Sequence, residues 1–125
     1  MDVRSSNLNW RGSLTPLNKR NIKGIALHHM AHETASIEEV HRWHLNRGWT
    51  GLGYNFWIDK EGHVYEGRGW HQGAHVRGHN QTTIGVGFQG DFQQNDSMTG
   101  AQVRAGANLI EHLFSQLGRK VECQH

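Results

Sequence analysis

The stretch GIALHH, residues Gly24–His29, decides how this chain folds. Side chains alternate between the two faces of a β-strand, so Ile25 and Leu27 share one face while Ala26 and His28 share the other. The apolar alternation stops after this stretch, and we predict a strand over residues 23–29 that runs into a loop. Imidazoles held at the end of a rigid strand are typical zinc ligands. Two interpretations are open here: a metal site, or one imidazole hydrogen-bonded in the core and the other in solvent.

A first helix is predicted over residues 36–47, downstream of this strand. Ser36 and Glu39 have the spacing of a capping box, in which each side chain bonds the other residue's backbone N–H. Apolar residues follow at helical spacing. His44 lies on the apolar stripe and is predicted to be a packed structural residue, whereas His41 is predicted to be partly exposed.

A second helix is predicted from a possible capping box at Thr99 and Gln102 to a stop at Gly118. Its apolar stripe has no break and consists of Val103, Ala107, Ile110, Phe114 and Leu117. A stripe this regular over five turns predicts a helix that packs one face on a sheet.

Further strands are predicted over residues 54–59, 63–66, 83–89 and 120–124. The first of these places Tyr54, Phe56 and Ile58 on one face, and a turn at residues 60–62 joins it to the second as an antiparallel hairpin. Strands and helices therefore alternate. We predict an α/β fold with a single mixed β-sheet, an antiparallel hairpin and flanking helices, formed as one domain by residues 1–125.

Glycine and histidine concentrate around the strand over residues 83–89. Apolar side chains occupy one face of that strand, while Gly85 and Gly87 leave the other face bare, so another element or a ligand can approach closely. The loop over residues 67–82 that precedes it is long and rich in both residue types. Loops of this length inside a small domain are usually functional or mobile.

Composition excludes several classes of protein. No apolar run approaches the roughly 20 residues that span a membrane, and a formal charge of +2 without a basic stripe does not favour nucleic acid. Cys123 is the single cysteine, so no internal disulfide is possible. The first residues lack the apolar segment of a secretory signal, and we expect a protein that is cytoplasmic as made. Nothing in the sequence predicts an oligomeric state.

Five stretches, taken together and in order, resemble the zinc N-acetylmuramoyl-L-alanine amidases, a family that includes phage endolysins, bacterial autolysins and animal peptidoglycan recognition proteins. They are IALHH at residues 25–29, RGWTGLGYNF at 47–56, VYEGRGW at 64–70, GAH at 73–75 and TIGVGFQGDF at 83–92. The resemblance covers about residues 22–125. It implies a Zn²⁺-dependent hydrolase that cleaves the amide between N-acetylmuramic acid and L-alanine in peptidoglycan, acting on the bacterial cell wall after release.

The resemblance also implies a ligand set for the metal. It assigns zinc to His28 and to His125, with a third family ligand, usually a cysteine eight residues further on, that has no counterpart here. We therefore expect a domain that is incomplete at its C-terminal end. Cys123 is an alternative third ligand, since residues two apart on a strand face the same side, but a small core residue is the simpler interpretation.

The remaining site residues come from the same resemblance. Tyr54 occupies the position of the catalytic tyrosine, whose phenol would donate to the oxyanion; the alternative is a half-buried strand aromatic. His75 matches a histidine at the site edge that contacts substrate, although a hydrogen bond that orders the loop is the alternative. Arg68, Trp70 and Asn80 are predicted to line the substrate groove, with solvated loop residues as the alternative.

Two functions from different classes remain open. The first is the zinc amidase. The second is a non-catalytic module that binds peptidoglycan without cleaving it, which the missing third ligand makes relevant to this chain. A metal-dependent amidase for an unrelated small molecule has little support beyond the generality of the chemistry.

Overall fold

A six-stranded mixed sheet with two helices makes up the computed structural model, which describes residues 1–92 and 97–124. The elements are β1 (Val3–Ser5), β2 (Gly24–His29), α1 (Ile37–Asn46), β3 (Phe56–Ile58), β4 (Val64–Glu66), β5 (Thr83–Phe88), α2 (Gly100–Leu117) and β6 (Glu122–Gln124), with a 3₁₀ turn at Lys19–Asn21. The strand order is β1-β4-β3-β5-β2-β6, and the β3–β4 pair is antiparallel while the other pairs are parallel. The predicted α/β fold is confirmed.

The face of the sheet under α2 carries the larger apolar core. Its buried members are Ile22, Ile25, Phe56, Ile58, Val64, Ile84, Val86, Phe88, Ala105, Leu109 and Leu113. The close approach of α2 depends on Gly106, where an added Cβ would lie 3.1 Å from the Phe88 ring. Gln102, also buried, donates from Nε2 to the carbonyls of Ile58 and Gln89 and thereby ties the helix start to the ends of two strands.

The opposite face packs against α1 through a smaller core of Ala35, Ile37, Val40, Leu52 and Trp57. The predicted capping boxes are both present: Ser36 with Glu39 begins α1, and Thr99 with Gln102 begins α2. Because α1 covers only part of this face, the end of β2 that carries His28 remains half-buried beside it.

Two features of the fold differ from prediction. The predicted strands begin at residue 23, yet β1 precedes them and pairs in parallel with β4 at the sheet edge. An edge strand of three residues is too short to show an alternation, so its pairing depends on a long-range contact. Separately, β3 begins at Phe56, so Tyr54 lies in the segment that enters the strand and does not share the face of Phe56 and Ile58.

Within the described part of the chain, neither helix has both the length and the apolar character needed to cross a bilayer.

Candidate functional site

Three side chains that the sequence singled out meet at the end of β2. The Nε2 atom of His28 lies 3.0 Å from Nδ1 of His75, a hydrogen bond between residues 47 apart in the chain. The rings of His28 and Tyr54 have centroids 5.4 Å apart. Trp57 borders the cluster from below, 6.3 Å from the Tyr54 ring. The structure therefore brings together His28, His75 and Tyr54 on the face of the sheet that α1 partly covers.

The bare glycine face of β5 makes room for these rings, as predicted. A Cβ added to Gly85 would lie 2.5 Å from Cγ of His75, which is closer than Cβ contacts ever come. At Gly87 the added atom would lie 3.0 Å from Cδ2 of Tyr54. Both aromatic rings consequently rest directly on the strand backbone.

Tyr54 reaches the cluster because hydrogen bonds from other segments hold residues 54 and 55 outside β3, which begins at Phe56. The prediction that Tyr54 shares a face with Phe56 is wrong, since Tyr54 packs with the core around Trp57 instead. Its carbonyl accepts from the backbone N–H of Arg68, and the buried Asn55 next to it bonds both the loop after β4 and strand β5. The Asn55 amide donates to the carbonyls of Gly69 and His71, and its oxygen accepts from Gly85.

Two histidines of α1 accept hydrogen bonds from the segment that precedes Tyr54. Nδ1 of His41 accepts from the N–H of Leu52, and Nδ1 of His44 accepts from the N–H of Gly53. His44 is packed, as predicted. The prediction of a partly exposed His41 is wrong: the ring is 7% exposed, because its Nε2 donates to the carbonyl of Asn9 in the N-terminal segment.

Burial controls the protonation of the cluster. It lowers the pKa of His75 to about 4, aided by the nearby His28, and it lowers the pKa of His28, aided by His29. Burial also raises the pKa of the Tyr54 phenol. At neutral pH both imidazoles are therefore neutral and offer a lone pair, while the phenol keeps its proton.

A groove of about 540 Å³ opens beside His75 and is lined by Trp49, Ala74, His75, Arg77 and Asn80. Asn80, predicted to line a substrate groove, also orders its wall: its Oδ1 accepts from the backbone N–H groups of His75 and Val76. Trp49 was not singled out by sequence reasoning, although it follows the end of α1 in one of the family-like stretches. Its ring packs on His44 with centroids 4.6 Å apart.

The structure does not bring Arg68 and Trp70 to this cluster. Arg68 is 7% exposed, and its guanidinium donates to the carbonyls of Leu52, Gln72 and Gly51. Trp70 packs edge-on against Phe56 under the other face of the sheet, with Nζ of Lys19 4.6 Å from its ring centroid. The contacts of Arg68 and Trp70 with substrate stay predictions. In the structure, both side chains contact other parts of the protein.

Of the predicted metal ligands that the structure describes, only His28 is found in the cluster. His28 lies in the cluster, whereas His125 is outside the described residues. Cys123 pairs with Ile25 in the parallel register of β6 and β2, so it lies on the α2 side, opposite His28, and is not placed to share a metal with it. Among residues 1–92 and 97–124, no three His, Cys, Asp or Glu side chains are grouped to hold a metal ion.

Known proteins are similar to this chain in sequence and in fold. A protein-family model described as N-acetylmuramoyl-L-alanine amidase matches residues 18–123. Peptidoglycan-recognition protein 2 of Holotrichia diomphalia is 38% identical over 100 residues, covering 72% of this chain and 53% of that protein. The N-acetylmuramoyl-L-alanine amidase of Sus scrofa is 33% identical over 134 residues, covering 89% of this chain and 22% of that protein.

Among solved structures, the endolysin N-acetylmuramoyl-L-alanine amidase LysCS of Clostridium intestinale aligns with a TM-score of 0.88 and 25% identity, over 99% of this chain and 80% of the other. The chain spans about half the length of the Holotrichia protein and about a fifth of the Sus scrofa protein. Since the family model matches residues 18–123, which is most of the chain, this chain belongs to the N-acetylmuramoyl-L-alanine amidase family.

Proposed function

We propose that this chain is a zinc-dependent amidase that cleaves the bond between N-acetylmuramic acid and L-alanine in peptidoglycan. The observation that carries the proposal is the convergence of His28, His75 and Tyr54 beside an open groove in a member of the amidase family. Peptidoglycan as the partner is supported by the relatives named for recognising it or for cleaving this amide.

The residues at the cluster fit a zinc ion in their chemistry. His28 would hold the metal through a neutral ring nitrogen, since burial lowers its pKa and leaves a lone pair available at neutral pH. His125 is the proposed second ligand. When bound, zinc supplies a polarised carbonyl and a water of lowered pKa, reaching ~7 in known zinc enzymes.

Tyr54 would act directly on the reacting group. Its phenol stays protonated, because burial raises its pKa, so it can donate a hydrogen bond to the oxyanion that develops on the scissile carbonyl. The groove lined by Trp49 and Asn80 would hold the glycan or stem peptide next to it. Aromatic faces such as that of Trp49 offer apolar contact area for a sugar or a peptide.

The test is release of stem peptides from purified peptidoglycan, followed by mass spectrometry. We expect peptides with a free N-terminal L-alanine to appear with zinc, to stop after chelation and to return on re-addition of zinc. Muropeptide binding without release would overturn the amidase assignment. Neither binding nor release would overturn the peptidoglycan assignment as well.

A recognition module without cleavage is the second candidate function. The observation that favours it is that a relative at 38% identity is named for peptidoglycan recognition. Zinc content, measured together with muropeptide binding, separates the two functions. A recognition module is expected to bind muropeptide equally well before and after the metal is removed.

A further inference from the structure

A chain of two hydrogen bonds connects His28 to the sheet backbone through His75. Nε2 of His28 lies 3.0 Å from Nδ1 of His75, and Nε2 of His75 lies 3.2 Å from the carbonyl oxygen of Thr83. The proposed function uses His28 as a metal ligand and leaves the role of this chain of bonds unexplained.

The positions of the protons follow from the partners. A carbonyl oxygen only accepts, so Nε2 of His75 must carry a proton. In a neutral His75 ring, Nδ1 is then the acceptor, and the proton in the bond to His28 belongs to Nε2 of His28. A neutral His28 ring with its proton on Nε2 has one lone pair left for a metal, on Nδ1.

The alternative is a doubly protonated His75 that donates to His28. That arrangement places a cation on a ring packed against the backbone of Gly85, and burying a charge without a counter-charge is costly. The described hydrogen-bond partners of His75 are Thr83, Asn80 and His28, none of which supplies a carboxylate. The neutral arrangement is therefore the stable one.

We propose that His75 is a positioning residue that fixes His28 as the Nε2–H tautomer and leaves Nδ1 as the nitrogen available to a metal. Ligating histidines commonly donate their second ring N–H to an acceptor that sets the tautomer and orientation, and loss of such an acceptor typically costs 10- to 100-fold in metal affinity. The identity of the metal rests on the proposed function, whereas the tautomer does not.

The first test uses metal-free protein labelled with nitrogen-15 in its histidines. Two-bond proton–nitrogen spectra report which nitrogen of each ring is protonated, and we expect Nε2–H in both His28 and His75. A proton on Nδ1 of His28 would overturn the proposal. On titration with cadmium-113, we expect scalar coupling to Nδ1 of His28; coupling to Nε2 would also overturn it.

The second test separates an acceptor from a space-filling ring. In His75→Asn the amide oxygen takes the place of Nδ1 and keeps the acceptor, whereas His75→Phe keeps an aromatic ring and removes the acceptor. We expect zinc affinity within a few fold of the parent for His75→Asn and about 10- to 100-fold weaker for His75→Phe. The reverse ranking would show that His75 only fills space.

These outcomes are independent of the proposed hydrolysis. Failure to release stem peptides, together with the expected tautomers and zinc affinities, would overturn the amidase and leave the role of His75 intact. Stem-peptide release with Nδ1 of His28 protonated would support the amidase and overturn the role proposed for His75.

Discussion

His28 is the residue whose chemistry distinguishes a metal enzyme from a plain α/β domain. We expect His28→Ala to abolish zinc binding, because it removes the ligand nitrogen that the strand holds in place. His29→Ala is the matched control: the neighbouring ring points to the other face and stacks on Phe92. Metal content after dialysis against zinc measures both variants, and a full complement of zinc in His28→Ala would show that the metal lies elsewhere.

At Tyr54 the prediction concerns rate and not fold. Tyr54→Phe removes a hydroxyl while keeping the ring that rests on Gly87, so we expect the fold and zinc content to be unchanged. Loss of one oxyanion donor typically lowers turnover by about 10²- to 10³-fold. Tyr65→Phe, in the half-buried tyrosine of β4, serves as the control. Equal turnover in the parent and in Tyr54→Phe would remove Tyr54 from the mechanism.

Arg68 allows a structural role to be separated from a substrate contact. Its three hydrogen bonds to carbonyls need a planar fork that lysine does not have, so we expect Arg68→Lys to lower the free energy of unfolding by about 2–3 kcal/mol. Arg104→Lys, at an exposed position of α2, is the control, with an effect of about 0.5 kcal/mol or less. Chemical denaturation measures both. Weaker muropeptide binding with unchanged stability would instead support contact with a stem-peptide carboxylate.

At the scale of elements, β5 makes room for the site because Gly85 and Gly87 have no side chains. An added methyl group at Gly85 would collide with the His75 ring, so we expect Gly85→Ala to displace His75 and cost about 1–3 kcal/mol of stability. We also expect zinc affinity to fall, because a displaced His75 no longer accepts from Nε2 of His28. Gly100→Ala is the matched control, because this exposed glycine begins α2 and alanine favours a helix. Parent-like zinc affinity in Gly85→Ala would show that the contact is not needed.

The capping boxes and the stripe of α2 illustrate what local pattern predicts at this scale. Ser36 with Glu39 and Thr99 with Gln102 begin the helices where the sequence placed them, because a cap involves residues three apart. The pairing of β1 with β4 and the start of β3 at Phe56 were not predicted. Each depends on a partner ten or more residues away, Val64 for Val3 and Glu66 for Phe56, which local periodicity does not report.

At the scale of the whole molecule, neutral histidines make stability depend on pH. Burial, assisted by nearby cations, lowers the pKa of His44 to about 4, and His75 titrates at a similarly low value. In the unfolded chain both protonate near pH 6.5. The unfolded state therefore binds more protons between these values, and the free energy of unfolding falls as the pH drops from about 6.5 towards 4.

We expect this fall in metal-free protein, with His44 contributing up to about 3 kcal/mol because its ring is almost fully buried. His44→Asn is the informative variant, since its amide oxygen can accept from Gly53 without titrating. Denaturation midpoints at a series of pH values would show a flatter profile for that variant. An identical profile would mean that the acid sensitivity arises elsewhere.

Sequence alone determined the two faces of β2, the helix starts and the bare glycine face of β5. These features follow from spacings of one to four residues, which the chain shows directly. The separation of His28 from His29, on which the metal prediction depends, is of this kind.

Only the tertiary structure decided which side chains His28 meets. The bond between His28 and His75 spans 47 residues. Tyr54 lies on the opposite face from Phe56 because Asn55 and Arg68 connect the segment before β3 to the loop after β4 and to β5. Arg68 is buried although it lies in a loop, between two glycines. Contacts of this kind depend on how loops close over the sheet. Their energy comes from satisfying buried polar groups far apart in the chain, so no local pattern contains them.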